Sequence, residues 1–259
     1  MIRPDKPAPP GWGPPPASGS PRPPAQARVE PAAPPTPWLT YILIAVNVLV
    51  FAAMGTSGVS LTDPEGWDLI RCGSNFGPYT LNGQPWRLLT AAFLHGGILH
   101  IAMNMYVLHQ AGRGAELRFG RLAYAEIYLL AAIGGSAASV LYNPDVNSVG
   151  ASGAVFGVVG AHLAHVLRNY KFIRKDARPG VLRSLGIFFA INAAIGFMVP
   201  QIDSAAHVGG LIAGFVGALP LVRSIGPGST RLAGWRYAVA PVLTVVLVLL
   251  VVVVGMTLG

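Results

Sequence analysis

The amino-acid sequence predicts an all-α, polytopic membrane protein: a bundle built on a six-helix core, followed by a seventh, C-terminal transmembrane helix. Three observations predict this class. Of the 259 residues 53% are apolar and only 11% charged, a membrane-type composition. Seven apolar stretches approach the length of about 18 residues that a helix needs to cross a bilayer. The basic residues fall in alternate connections between those stretches.

Taken in chain order, residues 1–37 hold 14 prolines among scattered Gly, Ala and Ser, and with no apolar core they are expected to form a disordered tail. The first apolar stretch, Trp38 to Met54, begins far into the chain and has full spanning length. It is therefore expected to remain as a helix, not to be cleaved as a leader. A loop of about 30 residues follows, from Thr56 to Arg87. It carries Trp67, Phe76, Tyr79 and Trp86, amphipathic rings that favour a membrane interface.

The next stretches run from Leu88 to Ala111, Leu122 to Tyr142, Gly150 to Leu167, Leu182 to Val199 and Ser204 to Val222. Short connections at Asn143–Val149 and Pro200–Asp203 make the third to sixth helices neighbours. The fourth stretch has small residues on nearly every turn, including Gly150, Ser152, Gly153, Gly157 and Gly160, and the sixth has Gly210, Gly214 and Gly217. Small residues let helix backbones approach closely in lipid, so these two helices are expected to touch. The chain thus divides into a tail (1–37), a core (38–222), a linker (223–235) and an added helix (236–259), the last carried by Tyr237 to Met256.

A formal charge of +8 and a pI near 10.1 could indicate nucleic acid, so the distribution of the 18 Lys and Arg residues decides the matter. Sixteen lie in the tail, at 113–121, at 168–183 and at 223–236, while only Arg71 and Arg87 lie on the other side. The positive-inside rule then predicts a multi-pass protein of the cell membrane, with a cytoplasmic N-terminus and an extracytoplasmic C-terminus. The partner implied by this basicity is the bilayer and not nucleic acid, which needs one contiguous basic surface. Cys72 is the only cysteine, which excludes an intrachain disulfide and a cysteine-based metal cluster.

Polar residues inside spans are costly and usually functional. Here they are His95, His100, Asn104, Ser152 and His207, all toward the outer ends of their helices. At about 1.5 Å rise per residue, Ser152 in the first turn of the fourth helix and His207 one turn into the sixth reach similar depth. A serine hydroxyl becomes a nucleophile when a base takes its proton, and His207 is the group on the partner helix that titrates near neutrality. Asn104 and His100, with the Ser152 N–H at a helix N-terminus, could stabilise an oxyanion. Asp203, four residues before His207, is read as a helix-start residue and not as a third catalytic member.

Gly150-Ala151-Ser152-Gly153 resembles the nucleophile motif of the rhomboid family of intramembrane serine proteases, and His207 with Gly210 and Gly214 resembles that family's base and the glycine ridge after it. His100 and Asn104 stand at the positions of its oxyanion-stabilising pair, His95 at that of a further histidine, and Phe156 where an aromatic packs on the catalytic histidine. Trp86-Arg87 and Glu116-x-Arg118 resemble two more of its signatures, read as structural, with the former anchoring the first loop at the interface. The resemblance covers residues 38–222 and implies a serine endopeptidase with a Ser152–His207 dyad, acting on transmembrane protein substrates with no metal and no cofactor.

Two rival readings follow from the same residues. His95, His100 and His207 could coordinate zinc, but no H-E-x-x-H is present and no span supplies a carboxylate beside them. A non-catalytic rhomboid-like factor that holds membrane proteins without cutting them is the alternative from another class, and an intact Ser152 and His207 weigh against it.

Overall fold

The computed structural model describes residues 35–198, 202–223 and 233–258. The predicted tail lies outside these residues except for 35–37, as does most of the 223–235 linker. The described chain is all-α, with helices α1 (Trp38–Thr56), α2 (Gly66–Cys72), α3 (Gly77–Thr80), α4 (Arg87–Thr90), α5 (Ile98–Phe119), α6 (Arg121–Tyr142), α7 (Ser152–Asn169), α8 (Arg178–Met198), α9 (Ser204–Ala218) and α10 (Val239–Leu258). Its one β-type pairing among the described residues is an isolated antiparallel bridge between Asn75 and Ser148.

Four helical segments are long and apolar enough to cross a membrane: Trp38–Thr56, Arg121–Tyr142, Ser204–Leu221 and Gly234–Thr257. A bent pair, Arg87–Phe93 with Ile98–Phe119, makes a fifth. Helix α7 is regular but not in this set, its apolarity diluted by its glycines, His162, His165 and Arg168, and the expected span Leu182 to Val199 ends outside the described residues.

The expected second span, Leu88 to Ala111, is not one helix. The chain turns by 93° between Phe93 and Ile98, at Leu94-His95-Gly96-Gly97. Gly97 takes φ 120°, a conformation that L side chains avoid, and a Cβ there would also lie 2.8 Å from the Thr62 carbonyl oxygen. His95 therefore belongs to the break and not to a span. At the other end α5 runs on to Phe119 and only Gly120, with φ 82°, separates it from α6. Arg113 and Arg118 are thus helical and not in a loop.

The core centres on α6, whose Tyr124, Ile127, Tyr128, Leu130 and Ala131 are all essentially inaccessible. Helices α7 and α9 run parallel to each other and antiparallel to α6. A Cβ on Gly210 or Gly214 would overlap the carbonyl of Gly153 or Gly157, so the two helices meet backbone to backbone. Dispersion and the close approach of small residues hold such contacts in lipid. Among the described residues α8 touches this trio where Phe188 packs on Phe156, with ring centroids 5.2 Å apart.

Glu116 closes the opposite end of the bundle from the first loop. Its carboxylate accepts hydrogen bonds from the Leu39 and Thr40 N–H groups at 3.0 and 2.8 Å and from Thr40 Oγ1 at 2.9 Å, and pairs with Arg121 at 3.4 Å. The free N–H groups of a helix start attract an anion, and here the anion comes from the end of α5. Arg118 instead reaches His162, whose Nε2 lies 2.8 Å from the Ala111 carbonyl.

Candidate functional site

The site is assembled where α7 and α9 begin. Ser152 is the first residue of α7, directly after Gly150, which takes φ 119°, and Ala151, which caps the helix. The Gly150 N–H donates to the Ala91 carbonyl at 2.9 Å, tying this turn to the segment just after α4. Gly150 also makes room for an imidazole: a Cβ there would lie 2.8 Å from both Cε1 and Nε2 of His100. The same Cβ would be 3.9 Å from Asn104 Nδ2, so His100 and Asn104 converge on the turn that leads to Ser152.

On the facing helix, Asp203 caps α9 by accepting from the Ala206 N–H at 2.9 Å, and its carbonyl accepts the His207 N–H at 3.2 Å. The carboxylate therefore serves the helix start, as an N-cap does. The His207 ring stacks on Phe156, with centroids 4.3 Å apart and planes at 13°. Phe156 is four residues after Ser152 and so shares its face of α7, which holds the imidazole over that face. Gly153 and Gly210 bring the backbones together one residue after the serine and three after the histidine. Among the described residues no hydrogen bond joins Ser152 to His207.

Asn104 Nδ2 donates to the His100 carbonyl at 3.0 Å, one turn back on α5, and His100 Nδ1 accepts the Gly96 N–H at 3.2 Å. These bonds set the pair's orientation. His95 is completely buried and meets His100 edge-on at 5.2 Å between ring centroids. His109, His162 and His165 lie away from this cluster, and among the described residues no three His, Cys, Asp or Glu side chains converge as a metal-binding group.

Trp86 and Arg87 behave differently from each other. Trp86 is exposed, but Arg87 is buried and points inward, donating to Gln84 Oε1 and to the carbonyls of Ile70 and Ser74 at 2.7, 2.7 and 2.9 Å. Its guanidinium also lies over the Tyr79 and Trp86 rings. Arg87 therefore locks the first loop internally instead of anchoring it at an interface. Sequence reasoning missed the residues that tie this loop to the site. Asn75 and Ser148 exchange both backbone hydrogen bonds, at 3.0 and 2.9 Å, and Asn75 Nδ2 donates to the Ser136 carbonyl at 2.8 Å. Nothing in the periodicity marks these loop residues; the Asn-x-x-x-x-Thr spacing behind the Thr80 Oγ1 to Asn75 Oδ1 bond is too common to signal them.

A helical multi-pass membrane protein with serine, histidine and asparagine gathered near the starts of α5, α7 and α9 is the class that this fold and cluster define. A family model described as Rhomboid domain matches residues 82–224. The chain belongs to the rhomboid family. It is similar to Rhomboid protease GluP of Bacillus subtilis (strain 168), 38% identical over 185 residues covering 71% of this chain and 35% of that protein. It is also similar to RHOMBOID-like protein 6, mitochondrial, of Arabidopsis thaliana, 42% identical over 132 residues, 51% of this chain and 42% of the relative. Inactive RHOMBOID-like protein 8 of the same plant is 35% identical over 133 residues, 51% of this chain and 37% of the relative. The chain thus matches less than half the length of each of these curated relatives.

Proposed function

We propose that the chain is an intramembrane serine endopeptidase in which Ser152 is the nucleophile and His207 its general base. The observation that carries this reading is the Phe156–His207 stack, which holds an imidazole over the face of α7 that Ser152 begins. Ser152 Oγ attacks the scissile carbonyl while the His207 imidazole takes its proton. The resulting oxyanion meets the Ser152 N–H and the side chains of Asn104 and His100. The imidazolium returns the proton to the leaving amine, leaving an ester on Ser152. Water, deprotonated by the same imidazole, hydrolyses that ester and restores the serine. Hydrogen bonds of a catalytic pair often close only when substrate is bound, so an open Ser152–His207 pair is compatible with this chemistry.

The substrate is a transmembrane protein segment that enters sideways and unwinds near the outer leaflet, because a helical peptide keeps its carbonyls engaged. The topology has a cytoplasmic N-terminus and seven crossings, supported by the sixteen basic residues on one side and by the first loop and the end of α10 sharing one end of the bundle.

The test is cleavage of a single-span reporter in liposomes by wild type, Ser152→Ala and His207→Ala, each with and without a chelator. Cleavage lost in both variants and indifferent to chelator is the expected result. Residual cleavage in the variants overturns the dyad, and loss with chelator alone revives the zinc reading. A wild type that binds the reporter without cutting it favours the non-catalytic factor, a state for which Inactive RHOMBOID-like protein 8 is a named relative.

A further inference from the structure

Helix α10 has an apolar face with a definite partner. Its Ala240 and Val251 are completely buried and Gly255 is buried, whereas Val246 and Leu249 on the other side are exposed. Val251, Leu247 and Val248 pack in one cluster with Ile133, Ala137 and Val140 of α6 and with Leu81 and Leu88 of the first loop and α4. At its far end the contact is backbone on backbone. A Cβ on Gly255 would lie 2.8 Å from the Leu81 carbonyl carbon and 3.1 Å from its Cα. Only glycine fits there.

The loop so gripped is the one that holds the nucleophile turn. Arg87 links Gln84, three residues after Leu81, to Ile70 and Ser74, and the Gly77 N–H donates to the Pro144 carbonyl at 2.8 Å. Asn75 brackets Ser148, and the Ala91 carbonyl takes the Gly150 N–H. Both ends of this strap act on the 144–150 segment, immediately before Ser152.

We propose that α10 is a brace for the active site: Gly255, set on the Leu81 backbone, holds the first loop against α6, and the loop in turn fixes the turn that positions Ser152. Gly255 is a positioning residue that touches no substrate. The effect on catalysis rests on the protease reading above, but the effect on the loop does not.

Cys72 supplies an independent readout. It is the chain's only cysteine, half-buried in the same loop against the cluster of Phe51, Met54, Leu69 and Leu94. Burial, with Asp68 adding to it and Arg71 opposing, pushes its thiol above the ordinary value. Loosening the loop exposes the sulfur and lowers that value, so both changes speed reaction with a maleimide.

The experiment labels Cys72 of the full chain in membranes with a membrane-impermeant maleimide and measures reporter cleavage in parallel, for wild type, Gly255→Leu, Val251→Ala and the exposed control Val246→Ala. The inward variants are expected to label about fivefold faster, as local opening becomes easier, and to lose kcat with KM nearly unchanged. Val246→Ala should match wild type in both. If Gly255→Leu does not accumulate folded, Val251→Ala, which removes bulk without a clash, decides. Unchanged labelling in the inward variants overturns the brace, whatever happens to cleavage. Faster labelling with unchanged kcat overturns the link to Ser152. If wild type does not cut at all, the protease reading falls and labelling alone judges whether α10 holds the loop.

Discussion

Replacing Gly210 by alanine sets two effects against each other. Alanine favours a helix over glycine by about 1 kcal/mol, which by itself would strengthen α9. The new Cβ, however, lies 2.7 Å from the Gly153 carbonyl carbon and 2.9 Å from its Cα, and also overlaps the carbonyl oxygen. Carbon atoms at rest stand about 3.5–4.0 Å apart, so the deficit is about 1 Å. Backbone cannot rotate out of the way as a side-chain tip could. The two helices must part, at a cost of about 1–3 kcal/mol for overpacking, which outweighs the propensity gain. His207 is carried on α9 three residues from this contact and Ser152 on α7 one residue from it, so the gap opens between them. A misplacement of about 1 Å can cost about a hundredfold in rate. Reporter cleavage in liposomes should fall by that order, with a lower thermal unfolding midpoint in detergent. Gly186→Ala on α8, where a Cβ meets nothing within 4 Å and only the propensity gain remains, should leave cleavage unchanged and should not lower the midpoint. If Gly210→Ala cleaves within threefold of wild type and melts with it, the backbone contact is not as tight as described and the argument fails.

Three further outcomes are expected. Phe156→Ala removes the ring under His207, a stack worth about 0.5–1.5 kcal/mol, so kcat should fall up to about tenfold while Phe156→Tyr keeps it; a kinetic comparison of the two decides. Glu116→Gln replaces a buried carboxylate that accepts three hydrogen bonds from α1 and pairs with Arg121, and should cost about 1.5–3 kcal/mol, read as a lower unfolding midpoint with cleavage retained at low temperature. Arg87→Lys keeps the charge but loses the planar fork that serves Gln84, Ile70 and Ser74 together, and should raise Cys72 labelling; a rate equal to wild type would show that the fork is dispensable.

The apolar runs made the helices legible because every backbone polar group in lipid must be satisfied within its own segment, which leaves few alternatives to a helix. The same averaging hid the 93° bend, since Leu94 to Gly97 lie inside an otherwise apolar window and only the positive φ of Gly97 creates the corner. Ser152, His207, His100 and Asn104 were legible as candidates because ionisable and polar residues stand out in apolar helices. The glycines of the fourth and sixth stretches predict that the helices of Ser152 and His207 touch, and the backbones of Gly153 and Gly210 display that close approach. The inward turn of Arg87 and the Asn75–Ser148 exchange were not legible. They join loop positions across long sequence separations, where neither helical nor strand period exists to read. Arg118 with His162 is a similar case, a long-range pair between two helices that local spacing does not reveal.

The anion that caps α1 has a bearing on how the chain is made. Leu39 and Thr40 donate to a carboxylate that lies 77 and 76 residues further along the chain. At a synthesis rate of about 5–20 residues per second, α1 emerges about 4–15 seconds before its acceptor exists. During that interval its first N–H groups must stay hydrated, which keeps the leading end of the helix at the lipid headgroups until α5 is complete. The arrival of Glu116 and Arg121 then closes the shell behind it, so α1 is sealed at that end by residues made after it.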